Sequence, residues 1–248
     1  MAKKKTKIRM TRKEMKKDPL VTFSLKAADF GRMHARVLVI AGVVVIVSLV
    51  VIVMMVRDRA KAEADAELIL TQANRELLAG NAQQAATLYD QLLDRYEGTE
   101  SGKKGLLFRG DALLEARSLD EAIASYEKFL KRAGRDDLLR NSARRGIATA
   151  LEEKGEFAQA ARVRENVALS VTGNEAAEEL MAAARCYRAA AMYGQAIELY
   201  DRVVKNHPDY WGVNAARIAA EELRLKLKLG GSEASAQTPV GGASRDSN

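Results

Sequence analysis

The chain has 248 residues, of which 48% are hydrophobic and 29% are charged, and its 40 Lys or Arg outnumber its 33 Asp or Glu. Its single cysteine excludes an intramolecular disulfide and a thiolate metal site, its two histidines lie far apart, and it has no glycine-rich phosphate-binding loop. We therefore predict that the protein is not an enzyme and that it holds neither a metal nor a cofactor.

The net positive charge of the chain comes from its N-terminal tail. Residues 1–36 contain twelve Lys or Arg and three acidic residues, a net charge of +9, whereas the rest of the chain contains 28 Lys or Arg and 30 acidic residues. A basic tail beside an apolar segment is typical of a membrane topology signal rather than of a protein that binds nucleic acid. Contact of this tail with anionic lipid is the alternative.

An uncharged run of twenty residues, VLVIAGVVVIVSLVVIVMMV, begins at Val37 and ends at Val56. At a helical rise of ~1.5 Å per residue, the run is as long as the hydrocarbon core of a bilayer is thick. We predict a transmembrane helix over residues 37–56 that anchors the protein in the bilayer. A cleaved signal peptide is the alternative, because small residues follow the run, but signal peptides usually have an apolar core of only ~7–15 residues.

The orientation of this helix follows from the tail. Four Lys or Arg lie within twenty residues of the run on each side, so the local count gives no direction. All charges of a short tail count, however, whereas a long domain is translocated largely regardless of charge. Moving nine positive charges across the membrane costs ~20 kcal/mol per 100 mV of opposing potential. We therefore expect the N-terminus in the cytoplasm and residues 57–248 outside.

The part of the chain after the apolar run contains a repeated pattern. An alanine recurs at intervals of 37, 38 and 36 residues, at Ala85, Ala122, Ala160 and Ala196. Another small residue lies twelve positions before each of them, at Ala73, Gly110, Ala148 and Ala184. Two helices can approach closely only where small side chains meet at their crossing, so this pattern predicts four helix–turn–helix units.

These units resemble the tetratricopeptide repeat, whose helix–turn–helix unit has about 34 residues. The resemblance covers residues 62–210, and its landmarks are Gly80, Gly155, Tyr89, Tyr126, Tyr200 and Pro208. Arg164 replaces the aromatic residue in the third repeat. The resemblance implies an all-α fold, in which a single N-terminal transmembrane helix is followed by a right-handed solenoid of about four repeats.

We divide the chain into four segments. Residues 1–36 form the tail, 37–56 the transmembrane helix, 57–229 the solenoid with a C-terminal capping helix, and 230–248 a disordered tail. No helix-breaking residue lies between Gly42 and Gly80, so the transmembrane helix is expected to continue as the first helix of repeat one. The capping helix is expected over residues 211–227.

The resemblance implies that the first helices line a groove that binds other proteins or extended peptides. The family's groove positions correspond here to Leu70, Asn74, Leu77, Leu107, Asp111, Leu114, Arg145, Thr149, Met181, Arg185 and Arg188. The half of this groove near the membrane is apolar and the far half is charged. The alternatives are that the leucines belong to the core and that the arginines are simply solvated.

The layout is similar to that of the ancillary subunit of the bacterial Sec translocon, which implies a single-pass inner-membrane protein with a periplasmic repeat domain. The long repeat period also resembles the Tol-Pal-associated cell-division coordinator. The first hypothesis is a membrane-tethered, chaperone-like adaptor whose partners are proteins, peptides and the lipid bilayer. The second is a self-associating scaffold that organises an envelope complex. The sequence does not indicate the oligomeric state.

Overall fold

The computed structural model describes residue 23, residues 33–132, residue 134 and residues 136–236. The chain divides into two units, Met1–Lys61 and Ala62–Asn248. The regular elements of the described residues are helices, in the order α1 (Ala35–Leu78), α2 (Ala82–Tyr96), α3 (Glu100–Glu115), α4 (Leu119–Arg132), α5 (Asp137–Glu153), α6 (Phe157–Ala168), α7 (Gly173–Ala189), α8 (Tyr193–Asn206) and α9 (Val213–Ala236). The prediction of an all-α fold is confirmed.

Helix α1 contains the predicted apolar run. Its most apolar stretch of 18 residues has a mean hydropathy of 3.4 and is 0% buried. The ends of the predicted run, Val37 and Val56, are 62% and 60% exposed. By length and composition this helix can cross a membrane, although an N-terminal signal sequence has the same properties. The predicted continuation of the helix through residue 78 is confirmed, because neither proline nor glycine interrupts residues 43–79.

The unit Ala62–Asn248 is a stack of helix pairs. The first helices of its four repeats are residues 62–78 of α1, then α3, α5 and α7, and the second helices are α2, α4, α6 and α8. From α2 onward each helix packs against the next, and α3 also contacts α5. We call the side of the stack that the first helices form its inner side, as the resemblance to the tetratricopeptide repeat implies. The predicted solenoid of about four repeats is confirmed.

Small residues lie at the helix crossing of every repeat, as the pattern predicts. The alanines at the predicted positions are all fully buried: Ala73, Ala85, Ala122, Ala148, Ala160, Ala184 and Ala196. In the second repeat, a Cβ atom on Gly110 would lie 2.5 Å from the Tyr126 ring, and a Cβ on Gly146 of the next first helix would lie 2.3 Å from it. The Tyr126 ring therefore fills a space between α3 and α5 that only these two glycines leave open.

The turn inside each repeat contains one residue with a positive φ angle: Gly80 (81°), Arg117 (63°), Gly155 (79°) and Ala191 (56°). In the first repeat, the Gly80 N–H donates to the Leu77 carbonyl and the Asn81 N–H to the Glu76 carbonyl, both at 2.9 Å. The same two hydrogen bonds recur in the other three repeats. Glycine adopts this conformation without strain, whereas Arg117 and Ala191 do so at a cost of ~1 kcal/mol or more.

The last helix differs from its predicted extent. It begins at Val213 and ends at Ala236, so it is longer than the expected helix over 211–227 and includes residues 230–236, for which disorder was expected. The physical reason is that the glycines at 230 and 231 weaken a helix without ending it, and the next proline is Pro239. The remaining residues of the predicted disordered tail, 237–248, and nearly all of the basic tail lie outside the described residues.

We predict that Ala191→Gly stabilises the solenoid. Glycine removes the strain of the left-handed turn, and the gain exceeds the ~0.4–1 kcal/mol that glycine adds to the entropy of the unfolded chain, so we expect a net increase of about 0.5 kcal/mol. Urea unfolding of the full-length protein in detergent, followed by circular dichroism, measures the change.

The matched control is Ala190→Gly. Ala190 has an ordinary φ of −75°, so glycine there adds only entropy to the unfolded chain and should destabilise the protein by ~0.5–1 kcal/mol. Equal destabilisation by both variants would contradict the assigned strain at Ala191.

Candidate protein-binding surface

One position on the inner side of the first helices is polar in every repeat, at Asn74, Asp111, Thr149 and Arg185. In the first two repeats, a tyrosine on the second helix donates a hydrogen bond to this polar side chain. The Tyr89 hydroxyl donates to Asn74 Oδ1 at 2.5 Å, and the Tyr126 hydroxyl donates to Asp111 Oδ1 at 2.7 Å. Both tyrosine rings are fully buried. Asn74 and Asp111 therefore join the two helices of their own repeat and have less capacity to bind a ligand.

Burial controls the charge of the pair in the second repeat. Burial raises the pKa of Asp111 above its ordinary value of 3.8, although the hydrogen bond from Tyr126 acts in the opposite direction. Burial, and then the negative charge of Asp111, raise the pKa values of Tyr89 and Tyr126. Both tyrosines therefore remain protonated and keep their role as hydrogen-bond donors at neutral pH.

The third repeat replaces the tyrosine contact with a network of ion pairs. Arg164 Nε donates to Glu152 Oε1 at 2.5 Å, and Arg164 Nη1 donates to Glu179 Oε2 at 3.3 Å. Arg145 donates to Glu179 Oε1 at 2.5 Å and also to Glu175. The Glu179 side chain is only 8% exposed, so its charge is compensated almost entirely by these two guanidinium groups.

Two of the predicted site residues, Arg145 and Thr149, thus bind other groups of the solenoid. Burial alone would lower the pKa of Arg145, but its hydrogen bonds to Glu179 and Glu175 outweigh this and raise it. The Thr149 hydroxyl donates to the Arg145 carbonyl at 3.0 Å, a local bond within α5. The ion-pair network was not predicted from the sequence, and its only visible signal was the replacement of an aromatic residue by Arg164.

The predicted apolar residues of the groove lie in the core or against it. Leu70 (8% exposed), Leu107 (2%) and Met181 (8%) belong to the hydrophobic core. Leu77 and Leu114 are half-buried and pack against this core. These five side chains therefore belong to the core or pack against it, which agrees with the alternative considered above. They present little apolar surface to a ligand.

Arg185 and Arg188 differ from the other predicted site residues. Both are exposed on α7, and no carboxylate of the described residues lies within ion-pair distance of either. Arg185 lines a cavity of about 260 Å³ together with Arg164 and Phe157. Cys186 lies in the wall of this cavity but is buried, and burial together with the charge of Glu152 raises its pKa to about 12. Its thiol is therefore unreactive at neutral pH.

Metal binding has no basis in the described part of the chain. Within residues 33–132 and 136–236, no group of three or more His, Cys, Asp or Glu side chains is placed to hold a metal ion.

We predict that Asp111→Asn preserves the helix pair and that Tyr126→Phe weakens it. Asparagine can accept the same hydrogen bond, as Asn74 does in the first repeat. Tyr126→Phe leaves a buried carboxylate without its donor and should cost ~1–3 kcal/mol of unfolding free energy. Equal effects of the two variants would contradict this assignment.

The pH dependence provides the second part of this test. Because the folded-state pKa of Asp111 is raised, its ionisation disfavours the folded state at neutral pH, and this penalty disappears as the pH falls toward 3.8. The stability of Asp111→Asn relative to the natural chain should therefore be highest at neutral pH and decline toward acid. Urea unfolding at a series of pH values measures this difference, which a freely solvated carboxylate would not show.

Two family models match segments of this chain. One tetratricopeptide-repeat model matches residues 70–137 and 109–170, and a second matches residues 180–210. The matches include the third repeat, in which Arg164 replaces the aromatic residue. No curated protein matches the chain in sequence.

Solved structures also resemble it. One is the crystal structure of a Podosopora anserina putative kinesin light chain whose TPR-like repeats are nearly identical to one another. It shares 17% sequence identity with this chain at a TM-score of 0.52, and the alignment covers 71% of this chain and 98% of that chain. MamA from Desulfovibrio magneticus RS-1, residue 41 to the end, has 16% identity and a TM-score of 0.48, with 70% and 97% covered. At this identity, the first similarity shows the fold alone. The family matches and the four observed helix pairs lead to one conclusion: the chain contains tetratricopeptide repeats, over residues 70–170 and 180–210.

Proposed function

We propose that this protein is a membrane-tethered adaptor that binds a segment of a partner protein on the inner side of its solenoid. Tetratricopeptide repeats are in general non-catalytic modules for protein–protein interaction, which supports binding rather than catalysis. The exposed apolar part of α1 supports the tether. The layout supports a location on the outer face of a bacterial inner membrane, close to the Sec translocon.

The observation that carries this proposal is the charge left uncompensated in the fourth repeat. Arg185 occupies the position of Asn74 and Asp111, which are bound to tyrosines. Arg188 occupies the position of Glu152, which is bound to Arg164. At these two positions, the polar side chains of the first three repeats have partners within the solenoid, whereas the two guanidinium groups of the fourth have no acidic partner within the described residues.

This arrangement favours an acidic partner. A guanidinium group binds a carboxylate with two parallel hydrogen bonds, and such charge-assisted bonds are about twice as strong as neutral ones. The charge of Arg164, on the same cavity, is already neutralised by Glu152 and Glu179. The site therefore has a net charge that comes from Arg185 and Arg188, and a segment rich in Asp or Glu would compensate it.

We predict that Arg185→Glu/Arg188→Glu abolishes partner capture. A photo-crosslinking residue in place of Ala189, which is exposed and lines the same cavity, reports capture in living cells. Charge reversal should reduce the crosslinked product at least tenfold, and added salt should reduce it in lysed cells, because the contact is electrostatic.

The matched control is Arg95→Glu/Lys131→Glu, which changes two exposed basic residues on the second helices α2 and α4. This control changes the net charge equally and should leave capture intact. Equal loss in both double variants would attribute the effect to net charge, and unchanged capture in both would refute the proposed site.

The proposed topology has its own test. Because Cys186 is buried, a membrane-impermeant thiol reagent should label only introduced cysteines. We predict that Ser244→Cys is labelled in intact spheroplasts and that Thr6→Cys is labelled only after lysis, because the +9 tail remains in the cytoplasm. The opposite pattern would reverse the orientation, and loss of an N-terminal tag from the mature protein would indicate a cleaved signal sequence.

The second candidate function, a self-associating scaffold of an envelope complex, requires a surface that complements itself.

A further inference from the structure

We infer that one edge of the solenoid lies on the surface of the bilayer, where Trp211, Leu138 and Leu169 enter the interface between lipid headgroups and acyl chains. This inference rests on the tether of the proposed function, because a chain without a tether would have no bilayer beside it. It does not depend on the proposed binding site at Arg185 and Arg188.

The connections between the helices lie at two opposite edges of the stack. Consecutive helices joined by short connections are antiparallel neighbours, so the turns inside the repeats lie at one edge and the loops between repeats lie at the other. We call the second edge the inter-repeat edge. It consists of the loops that follow α2, α4, α6 and α8, together with the helix ends beside them.

The inter-repeat edge presents exposed apolar side chains. Among the described residues between Ala79 and Gly212, three large apolar side chains are exposed: Leu138 at 73%, Leu169 at 77% and Trp211 at 79%. Leu138 is in the first turn of α5, Leu169 follows the last residue of α6, and Trp211 lies between α8 and α9, so all three are at this edge. The opposite edge has one such residue within the described part of the chain, Leu78. Single exposed leucines are ordinary, whereas apolar side chains gathered at one edge indicate an interaction surface.

A hydrogen bond places two of these side chains on adjoining helix ends. The Ser170 hydroxyl donates to Asn141 Oδ1 at 2.9 Å, so the end of α6 lies beside the first turns of α5. Leu169 directly precedes this serine, and Leu138 lies one helical turn before the asparagine. The two exposed leucines therefore belong to neighbouring parts of the inter-repeat edge.

The loop that carries Trp211 is anchored by Tyr210. The Tyr210 side chain is only 4% exposed, its N–H donates to the His207 carbonyl at 3.1 Å, and its carbonyl accepts from the Val213 N–H at 3.0 Å. A Cβ atom on Gly212 would lie 2.5 Å from the Tyr210 ring, so the loop packs closely around that ring. Trp211 therefore projects outward from a fixed loop. Tryptophan is enriched at membrane–water interfaces, because its ring is apolar and its N–H is a hydrogen-bond donor.

The chain enters this unit at the same edge. Glu63 accepts hydrogen bonds from the N–H groups of Glu100 and Ser101, both at 2.8 Å, in the first turn of α3. Val56, the end of the apolar run, precedes Glu63 by seven residues, which span at most ~25 Å even when fully extended. A bilayer that holds the apolar run is therefore close to the inter-repeat edge. The turns inside the repeats begin at Ala79, sixteen residues and a helical rise of ~24 Å farther along α1.

Charges of both signs flank the apolar side chains. Lys104 and Lys205 are exposed at this edge, and so are Asp137 and Asp209. We therefore expect the contact to depend on the apolar side chains and not on anionic lipid or ionic strength. Partner capture at the proposed binding site depends on salt, so the two contacts respond differently to it.

The first experiment uses Trp211 as its own probe, because it is the only tryptophan of the chain. The full-length protein is reconstituted into vesicles of phosphatidylethanolamine and phosphatidylglycerol, with or without lipid that is brominated on the upper part of its acyl chains. Bromine quenches tryptophan fluorescence at short range, so we expect emission to fall about twofold in the brominated vesicles when Trp211 lies at the interface. Both leaflets contain the brominated lipid, so the result does not depend on the orientation of the protein.

The matched control is Leu78→Trp/Trp211→Phe, which moves the single tryptophan to the opposite edge, at a site that is 89% exposed. Brominated lipid should leave the emission of this variant unchanged, and iodide in the aqueous phase should quench it. Equal quenching by brominated lipid in the natural chain and in this variant would overturn the inference, because the effect would not belong to one edge.

The second experiment changes the edge and keeps the probe. Leu138→Glu/Leu169→Glu should restore most of the Trp211 emission in brominated vesicles, because carboxylates are unfavourable at the acyl boundary. Both side chains are exposed, so circular dichroism should show unchanged helix content. The control Ile218→Glu/Leu225→Glu, which makes the same change at exposed positions of α9, should leave the quenching as it is in the natural chain.

Flotation of the vesicles on a density gradient separates failure of the tether from failure of this inference. Protein that does not float with the vesicles would refute the tether and this inference with it. Protein that floats but whose Trp211 is not quenched by brominated lipid would overturn this inference alone, and shielding from iodide in that case would indicate a protein neighbour instead of the bilayer. Arg185→Glu/Arg188→Glu should leave the quenching unchanged, because the proposed binding site is not part of this edge.

Discussion

The close crossing of two helices is the constraint on which the rest of this solenoid depends. At each crossing, both helices carry alanine or glycine, and the alanines there are fully buried. This approach brings the second helix near enough for Tyr89 and Tyr126 to reach polar groups on the first helix with their hydroxyls. A buried hydroxyl without such a partner would be unfavourable, so close packing and hydrogen bonding support each other in these repeats.

The same constraint explains why so little of the inner side is available to a ligand. Leu107, Met181 and Leu70 are drawn into the core by the close packing of successive first helices. The polar groups of the first two repeats are used by the tyrosines, and those of the third by Arg145 and Arg164. Among the predicted site residues, Arg185 and Arg188 are exposed on α7 and have no acidic partner within the described part of the chain.

Local patterns determine the part of the structure that was predictable. The alanine spacing predicted the helix pairs, and the absence of proline and glycine predicted the unbroken helix α1, because both depend on neighbours within one or two turns. The burial of the Leu107 side chain and the ion-pair partners of Arg145 were not predictable in this way. The partners of Arg145 are Glu175 and Glu179, which belong to the next repeat and approach only after the repeats have stacked. The exposure of Ile218 and Leu225 likewise follows from which side of α9 meets α8.

The ion pairs of the third repeat have a consequence for the order of the repeats. The tyrosine contacts of the first two repeats are made within a repeat. Arg145 and Arg164 instead require Glu179, which the fourth repeat supplies. If the third repeat were exchanged with the second, or the fourth were deleted, two partly buried cations would lose their shared carboxylate. The ion pairs of the third repeat therefore fix the fourth repeat as its neighbour, and a shortened or shuffled descendant of this protein would have to replace that junction as a unit.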